Sequence, residues 1–284
     1  LLVGDRSETL AAAMAATIAK VPVIHLHGGE ETEGAIDNAM RHALTKLSHL
    51  HLVSHSVYRD RVLQMGEDPR NVTVVGTPGL DNRFREDLPS KSELEQFLAL
   101  DLNDPVVIVT MHPTTLGQDH FLSEVSAVSD AMAQVDANYV VTLPNSDEGG
   151  TDIRDYWLHW SEERENVSVR EVLGEARYWA LLKIVKVMLG NSSSGMVEGP
   201  IAGVNVVNVG DRQYGRIRNS RIRDVKPEAS EIAKWLSKAT IEDWSLGDEL
   251  REWELGSGLV SERIMEAIKK WHFDVTLRKK FHSI

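Results

Sequence analysis

Short runs of β-branched residues alternate with longer amphipathic segments along this chain, and this alternation constrains its fold more than any other feature. The first series has apolar runs at residues 22–24, 51–53 and 72–75, with segments of helical periodicity at 33–47 and 58–65. Such alternation predicts βαβ units, because a strand that returns parallel to its predecessor needs a crossover connection. The sequence therefore predicts an α/β fold with parallel sheets.

A second series follows a charged stretch at residues 81–104, which we interpret as an interdomain linker. Its apolar runs lie at 106–110, 139–143, 185–189 and 204–207, and its first helical segment lies at 121–134. We predict two Rossmann-like, doubly wound domains: a partial N-terminal one at residues 1–80, and a nucleotide-binding one with a helical tail at 105–284. The first domain is expected to be incomplete, because roughly two or three strand-helix units of about 30 residues are missing from it.

Charge and composition exclude several classes of function. The 284 residues include 43 Asp and Glu against 31 Lys and Arg, and the formal net charge of -12 opposes binding to nucleic acid. The absence of cysteine excludes disulfides and thiolate chemistry. No apolar run approaches the roughly 18 residues of a spanning helix, so we expect a cytoplasmic protein without a membrane partner. The chain opens inside an apolar segment without an initial methionine, which we interpret as a truncation.

Acidic residues stand where the first domain can present them to a ligand. Asp5 and Arg6 follow an apolar strand at its carboxyl end, the edge at which open α/β sheets bind ligands. Helix capping is an equal explanation for Asp5. Asp37 and Arg41 share one face of a later helix, where they form either an ordinary ion pair or part of a site.

The turn at residues 25–30 reads His-Leu-His-Gly-Gly-Glu and lies between a predicted strand and a predicted helix. Its glycines allow a ligand to approach the backbone, and His27 and Glu30 can act as general acid or base. Acidic residues also suit a helix N-terminus, so capping explains them without catalysis. Metal binding is less favoured, because no third ligand follows at a metal-site spacing.

Polar residues also follow the predicted strands of the second domain. His112 and Asn145 stand after the runs at 106–110 and 139–143, and both are candidates for ligand contact. A structural role is the alternative for His112.

The turn at residues 190–195 reads Gly-Asn-Ser-Ser-Ser-Gly and is the most informative motif. Backbone amides and serine hydroxyls at the start of a helix suit a diphosphate, and an arginine on the loop after the next strand can bind phosphate in bidentate fashion. The missing lysine excludes an NTPase P-loop. The candidates for nucleotide contact are Ser192, Ser193, Ser194, Gly195, Glu198 and Arg212. A surface acid is the alternative for Glu198, and a surface salt bridge is the alternative for Arg212.

Taken in order, these motifs resemble the hydrolysing UDP-N-acetylglucosamine 2-epimerases over nearly the whole chain. The resemblance implies a GT-B type fold of two Rossmann-like domains, a UDP-sugar substrate, no metal or cofactor, and a homo-oligomer, either a dimer or a tetramer. Such enzymes remove the C2 proton, expel UDP and add water to give N-acetylmannosamine. The resemblance further implies that Asp5 and Asp37 are catalytic carboxylates, with either His27 or Glu30 as the third acid/base group. It also implies substrate contacts for Arg6, Asn145 and His112.

Four other functions stay open at this point. They are a 2-epimerase acting on GDP- or UDP-linked bacillosamine-type sugars, a non-hydrolysing epimerase, a GT-B glycosyltransferase, and a noncatalytic protein that binds nucleotide sugars. Because the family's first strand and its turn contribute to the cleft, we expect the chain alone to have little or no activity.

Overall fold

The computed structural model describes residues 1–32, 36–103, 105–114, 121–144, 149–247, 259–271 and 278–283. The chain divides into two compact units, with the boundary between Asp81 and Asn82. The described residues from 259 onward belong to the first unit. This division differs from the predicted one, in which residues 81–104 were a linker and the whole tail belonged to the second domain.

The first unit is built on a parallel sheet. In spatial order its strands are β1 (Leu2–Val3), β2 (Ile24–Leu26), β3 (Leu50–Val53) and β4 (Val72–Val74). Its helices before residue 81 are α1 (Ser7–Ile18), α2 (Asp37–Leu47) and α3 (Ser56–Gln64). Every strand pair in this sheet is parallel, so the carboxyl ends of the strands share one edge.

The second unit has a larger parallel sheet. Its strands are β5 (Val106–Thr110), β6 (Asn138–Thr142), β7 (Val167–Arg170), β8 (Val187–Gly190), β9 (Asn205–Val209) and β10 (Ile222–Val225). Its helices are α4 (Lys91–Leu98), α5 (Phe121–Met132), α6 (Gly150–Ser161), α7 (Glu175–Leu182), α8 (Glu198–Ile201) and α9 (Ala229–Ile241).

The strand order of this sheet, β10-β9-β8-β5-β6-β7, reverses direction between β5 and β8. Thr110 at the end of β5 pairs in register with Gly190 at the end of β8. In an open α/β sheet this reversal point is where ligands bind. The fold therefore brings the loop after residue 110 and the serine turn after residue 190 together.

The helix α10 (Val260–Lys270) belongs to the first unit, and Asp81 of that unit caps its start. The Asp81 carboxylate accepts hydrogen bonds from the backbone N–H of Val260 at 2.7 Å and of Ser261 at 2.8 Å. Arg263 of this helix donates from Nε to the carbonyl of Val75 at 2.9 Å. These contacts join residues 179 to 188 positions apart, which is why the local pattern of the tail did not predict them.

The predicted α/β class with two parallel, Rossmann-like sheets is confirmed. The predicted strands are found within about two residues of their observed bounds, which is the usual accuracy of such boundaries. The helix predicted at 33–47 is observed as α2, and residues 33–35 lie outside the described part of the chain. No helix in the described ranges combines the length and the apolar character that crossing a membrane requires.

Candidate active site

Arg41 connects the strand ends of the first unit. Its side chain is only 1% exposed, although it belongs to a helix with many charged residues. One guanidinium nitrogen, Nη2, donates to the carboxylate of Asp5 and, at 3.2 Å, to the hydroxyl of Thr32. The other, Nη1, donates to the backbone carbonyl of Glu30 at 2.7 Å. Arg41 therefore fixes the loop after β1 against the turn after β2.

The capping explanation for Asp5 does not hold. The N-cap of α1 is Arg6, and this helix has no capping hydrogen bond from a side chain. Asp5 is instead an ion-pair partner of the buried Arg41. Arg6 is exposed beside it, so both residues of the predicted pair lie at the carboxyl edge of the sheet, as the sequence indicated.

His27 and Glu30, the two candidates for the third acid/base group, contact each other. Nδ1 of His27 lies 2.7 Å from Oε1 of Glu30, and the hydroxyl of Ser54 donates to the same oxygen at 2.8 Å. Glu30 is 6% exposed, whereas the His27 side chain is 19% exposed. The two residues form a pair in which the carboxylate is inside and the imidazole is the more accessible group.

The backbone of this turn holds an unusual conformation. His27 has a φ of 72° and Gly29 a φ of 78°, both in the left-handed region that favours glycine. A Cβ atom at Gly29 would lie 2.3 Å from the carbonyl oxygen of Tyr58, so only glycine fits there. Left-handed backbone at a non-glycine residue is found where the surrounding structure imposes it, often at functional sites.

His25 holds the loop that carries Asp5. It is fully buried, and its Nε2 lies 2.8 Å from the carbonyl oxygen of Gly4. Burial lowers the pKa of His25 to about 4, against the opposing effect of the hydrogen bond with Gly4. The ring is therefore neutral at pH 7 and donates from Nε2 to the residue that precedes Asp5.

The second predicted carboxylate, Asp37, is the first residue of α2 and is partly buried. It lies one helical turn before Arg41, as the sequence indicated. Of the two alternatives for Arg41, ordinary pairing on an exposed helix does not fit, because Arg41 is buried. Its contacts include Asp5, Glu30, Thr32 and Asn38.

In the second unit, Asn191 joins three strand-end loops. It is fully buried directly after β8. Its side chain donates to the carbonyl of His112 at 2.9 Å and accepts from the backbone N–H of His112 at 2.7 Å. Its own carbonyl accepts from Gln213 at 2.8 Å and from Arg212 at 3.1 Å. The predicted residues His112 and Arg212 are thus held at the same point of the sheet.

The serine turn begins at Ser192, whose hydroxyl accepts from the backbone N–H of Ser194 at 3.4 Å. The hydroxyl of Ser194 is hydrogen-bonded with that of Tyr178. Ser193 is exposed and Gly195 is buried. Burial, together with the nearby charge of Glu198, raises the pKa of Tyr178. The turn therefore presents hydroxyl and amide groups, supported by a neutral tyrosine.

The helix predicted after this turn is shorter than expected. A single turn of 3-10 helix spans Ser193–Gly195, and α8 covers only Glu198–Ile201. The dipole of so short a helix is small, so the turn depends on its own amides and hydroxyls for anion binding. Asn145, the remaining predicted contact residue, lies outside the described residues.

Sequence reasoning missed three residues of these clusters. Arg41 was noted only for its spacing, and Ser54 and Asn191 were not assigned any role. Ser54 and Asn191 each follow the end of a buried strand directly, and this position is the signal that could have identified both. The burial of Arg41 has no local signal in the sequence.

Comparison with known proteins identifies a matching family and solved structures with a similar fold. Residues 1–269 match the family described as UDP-N-acetylglucosamine 2-epimerase. A relative from Campylobacter jejuni, named GDP/UDP-N,N'-diacetylbacillosamine 2-epimerase (hydrolyzing), is 35% identical over 226 residues, which are 79% of this chain and 59% of the relative. A relative from Legionella pneumophila, named UDP-N,N'-diacetylbacillosamine 2-epimerase (hydrolyzing), is 35% identical over 239 residues, covering 84% of this chain and 63% of the relative.

The structure of the UDP-GlcNAc 2-epimerase from Neisseria meningitidis bound to UDP-GlcNAc resembles this chain with a TM-score of 0.78 at 17% identity. The likeness covers 95% of this chain and 75% of that structure, and it shows the fold alone. This chain spans 59% to 63% of the length of the two relatives named above.

Proposed function

Because this chain belongs to the UDP-N-acetylglucosamine 2-epimerase family, we propose that it supplies the acid/base groups and the nucleotide-binding turn of a hydrolysing nucleotide-sugar 2-epimerase. The proposed substrate is UDP-N-acetylglucosamine, and the products are N-acetylmannosamine and UDP. The observation that carries the proposal is the pairing of His27 with Glu30 beside the Arg41–Asp5 ion pair, all at the ligand-binding edge of one sheet.

The first half of the reaction is an elimination. A base takes the proton from C2 while the bond between C1 and the diphosphate oxygen breaks, which leaves a C1–C2 double bond and free UDP. We assign the base to the pair of His27 and Glu30. Contact with Glu30 through Nδ1 fixes the imidazole ring, so that Nε2 is the nitrogen available to the substrate.

The second half is a hydration. Water adds its hydroxyl group to C1, and C2 receives a proton on the face opposite to the one that lost it, which inverts the configuration at C2. A second acidic group is needed on that face, and we assign this role to Asp37. Asp5 is the other proposed catalytic carboxylate, and its ion pair with Arg41 holds it in place.

Departure of UDP requires groups that stabilise the charge on its diphosphate. We propose that the turn at Ser192–Gly195 and the guanidinium of Arg212 bind the diphosphate, with Glu198 accepting hydrogen bonds from the ribose and His112 contacting the substrate. The contacts of Asn191 with both His112 and Arg212 support this assignment, because one buried residue orients both.

The test uses the protein with the family's first strand and turn included, incubated with UDP-N-acetylglucosamine in deuterated water and followed by proton NMR of the sugar and of UDP. N-acetylmannosamine deuterated at C2, together with an equal amount of UDP, is the expected result. UDP-N-acetylmannosamine without released UDP would identify a non-hydrolysing epimerase. Sugar transfer to an acceptor would identify a glycosyltransferase, and UDP binding without turnover of any sugar nucleotide would identify a binding protein.

A bacillosamine-type substrate is the second candidate, favoured by the names of the two relatives at 35% identity. These sugars differ from N-acetylglucosamine at C4 and C6, while the chemistry at C1 and C2 is the same. Competition between UDP-N-acetylglucosamine and UDP- or GDP-N,N'-diacetylbacillosamine in one reaction decides between the candidates, because the ratio of product rates equals the ratio of kcat/KM values. We also propose a homo-oligomer, a dimer or a tetramer, which light scattering after size-exclusion chromatography tests.

A further inference from the structure

A cavity of about 850 Å³ lies in the first unit, at the open side of β4. Its wall includes Leu50 at the start of β3 and Asn71 just before β4, and both are at the amino ends of their strands. The candidate acid/base groups follow the carboxyl ends of the strands. The cavity extends along β4 from Asn71 to Val74, and neither His27 nor Glu30 lines it, so it is a separate feature.

The cavity wall is strongly basic in a protein of net charge -12. Its cations come from the segment before β4, from α10 and from the residues after 277. They are Arg70, Arg263, Lys270, Arg278, Lys279 and Lys280. Its acidic residues are Glu67, Asp68 and Glu266. Six cations against three carboxylates among the described lining residues leave a positive excess of three charges.

Each of the three acidic residues forms an ion pair with a cation of the same wall. Arg70 contacts Asp68 at 2.6 Å, Lys270 contacts Glu266 at 2.5 Å and Lys279 contacts Glu67 at 2.8 Å. Each carboxylate thus lies against a cation of the same wall. Among the described lining residues, Arg278 and Lys280 are the cations that have no such contact with an acid of the wall.

We propose that this cavity binds a nucleotide through its phosphate groups. Guanidinium and ammonium groups are the side chains that bind phosphate most strongly, and a volume of about 850 Å³ suits a small molecule of nucleotide size. The indole of Trp271 also lines the cavity and offers an aromatic surface for a base. This site is independent of the proposed epimerase reaction, whose acid/base groups do not line the cavity.

Calorimetric titration with ATP and with inorganic tripolyphosphate tests the proposal. Three proteins are compared: the unchanged chain, a variant with Arg278→Gln and Lys280→Gln, and a control with Arg154→Gln and Lys183→Gln. All four positions are exposed, and both variants lose one arginine and one lysine. The cavity variant is expected to bind ATP at least about tenfold more weakly, while the control binds like the unchanged chain. Binding to the unchanged chain should weaken as salt is added.

Equal ATP affinity in all three proteins, or no binding to any, would overturn the proposal. A fourth protein, Arg212→Gln, separates the cavity from the nucleotide turn of the second unit. It is expected to keep the ATP affinity of the unchanged chain, and a loss of ATP binding in this variant alone would place the nucleotide at the serine turn instead. Tighter binding of ATP than of tripolyphosphate supports recognition of the base, and equal binding would contradict that part of the inference.

Discussion

Ser54 donates a hydrogen bond of 2.8 Å to Oε1 of Glu30, the same oxygen that Nδ1 of His27 contacts at 2.7 Å. The two donors come from different strand ends, since Ser54 follows β3 and His27 follows β2. Parallel pairing of these strands, with Leu26 in register with Leu52, brings the two loops together. The orientation of Glu30 is thus a product of the sheet and not of its own turn alone.

In the protein that includes the family's first strand and turn, we expect the Glu30→Gln substitution to lower kcat by about 10²-fold or more, because general acid/base groups contribute at least that much. Ser54→Ala should lower kcat by about tenfold, the equivalent of roughly 1.5 kcal/mol for one hydrogen bond to a charged group. Ser56→Ala, two residues further along in α3, is the control and should act like the unchanged protein. Full activity of Glu30→Gln would contradict a role for Glu30 in proton transfer.

Replacement of Arg41 tests its ion pair with Asp5. Arg41→Met removes the donor to the Asp5 carboxylate and to the Glu30 carbonyl. Because the Asp5 side chain is 24% exposed, we expect the free energy of unfolding to fall by about 3 kcal/mol, the lower end of the range for a fully buried pair. Arg41→Lys keeps the charge but not the planar fork of donors, so it should be intermediate. Urea unfolding followed by circular dichroism measures both, with the partly exposed Arg59→Met as control. An Arg41→Met protein as stable as the control would contradict the structural role of the pair.

The lowered pKa of His25 predicts a loss of stability on acidification. The unfolded chain takes up a proton at this residue near pH 6.5, whereas the folded chain does so only near pH 4. Protonation therefore favours the unfolded chain as the pH falls from 6.5 to 4, by a free energy on the order of 3 kcal/mol. Above pH 6.5 the stability contribution is fully present.

The matched variant for this prediction is His25→Gln, which can still donate to the carbonyl of Gly4 but cannot titrate. We expect it to lose less stability than the unchanged protein between pH 7 and pH 4.5, measured by urea unfolding at both values. His51 is also buried with a lowered pKa and adds to the loss in both proteins equally. Identical pH dependence of the two proteins would show that His25 is not the titrating group.

Replacement of Asn191 is expected to weaken nucleotide binding. Asn191→Ala removes both hydrogen bonds with the backbone of His112, and loss of this support should weaken UDP binding by about tenfold and lower the unfolding free energy by about 2 kcal/mol. Calorimetric titration with UDP and urea unfolding give the two values. Asn103→Ala is the control, because Asn103 is exposed and contacts Lys91 at the surface. Unchanged UDP affinity in Asn191→Ala would contradict the role of Asn191 in supporting nucleotide binding.

The sequence predicted those parts of the fold and the site that depend on local pattern. Parallel strands follow from alternating apolar runs, and their polar ends then share an edge, which is how Asp5, His27 and Glu30 could be grouped. Arg41 could not be assigned, because a charged residue on a helix is exposed by default and only the tertiary fold buries it. The position of α10 depends on Asp81, a contact across 179 residues that no local pattern encodes.

This last contact makes a prediction of its own. Asp81 accepts two backbone N–H groups at the start of α10, and Asp81→Ala should lower the free energy of unfolding by about 1 to 2 kcal/mol, as loss of an N-cap does. Asp81→Asn keeps one of the two acceptor oxygens and should recover only part of the loss. Asp87→Ala is the control, because Asp87 is an exposed acid paired with Arg85. Limited proteolysis should cut α10 faster in Asp81→Ala than in either comparison protein, and equal cutting rates would mean that other contacts, such as that of Arg263 with Val75, hold the helix without its cap.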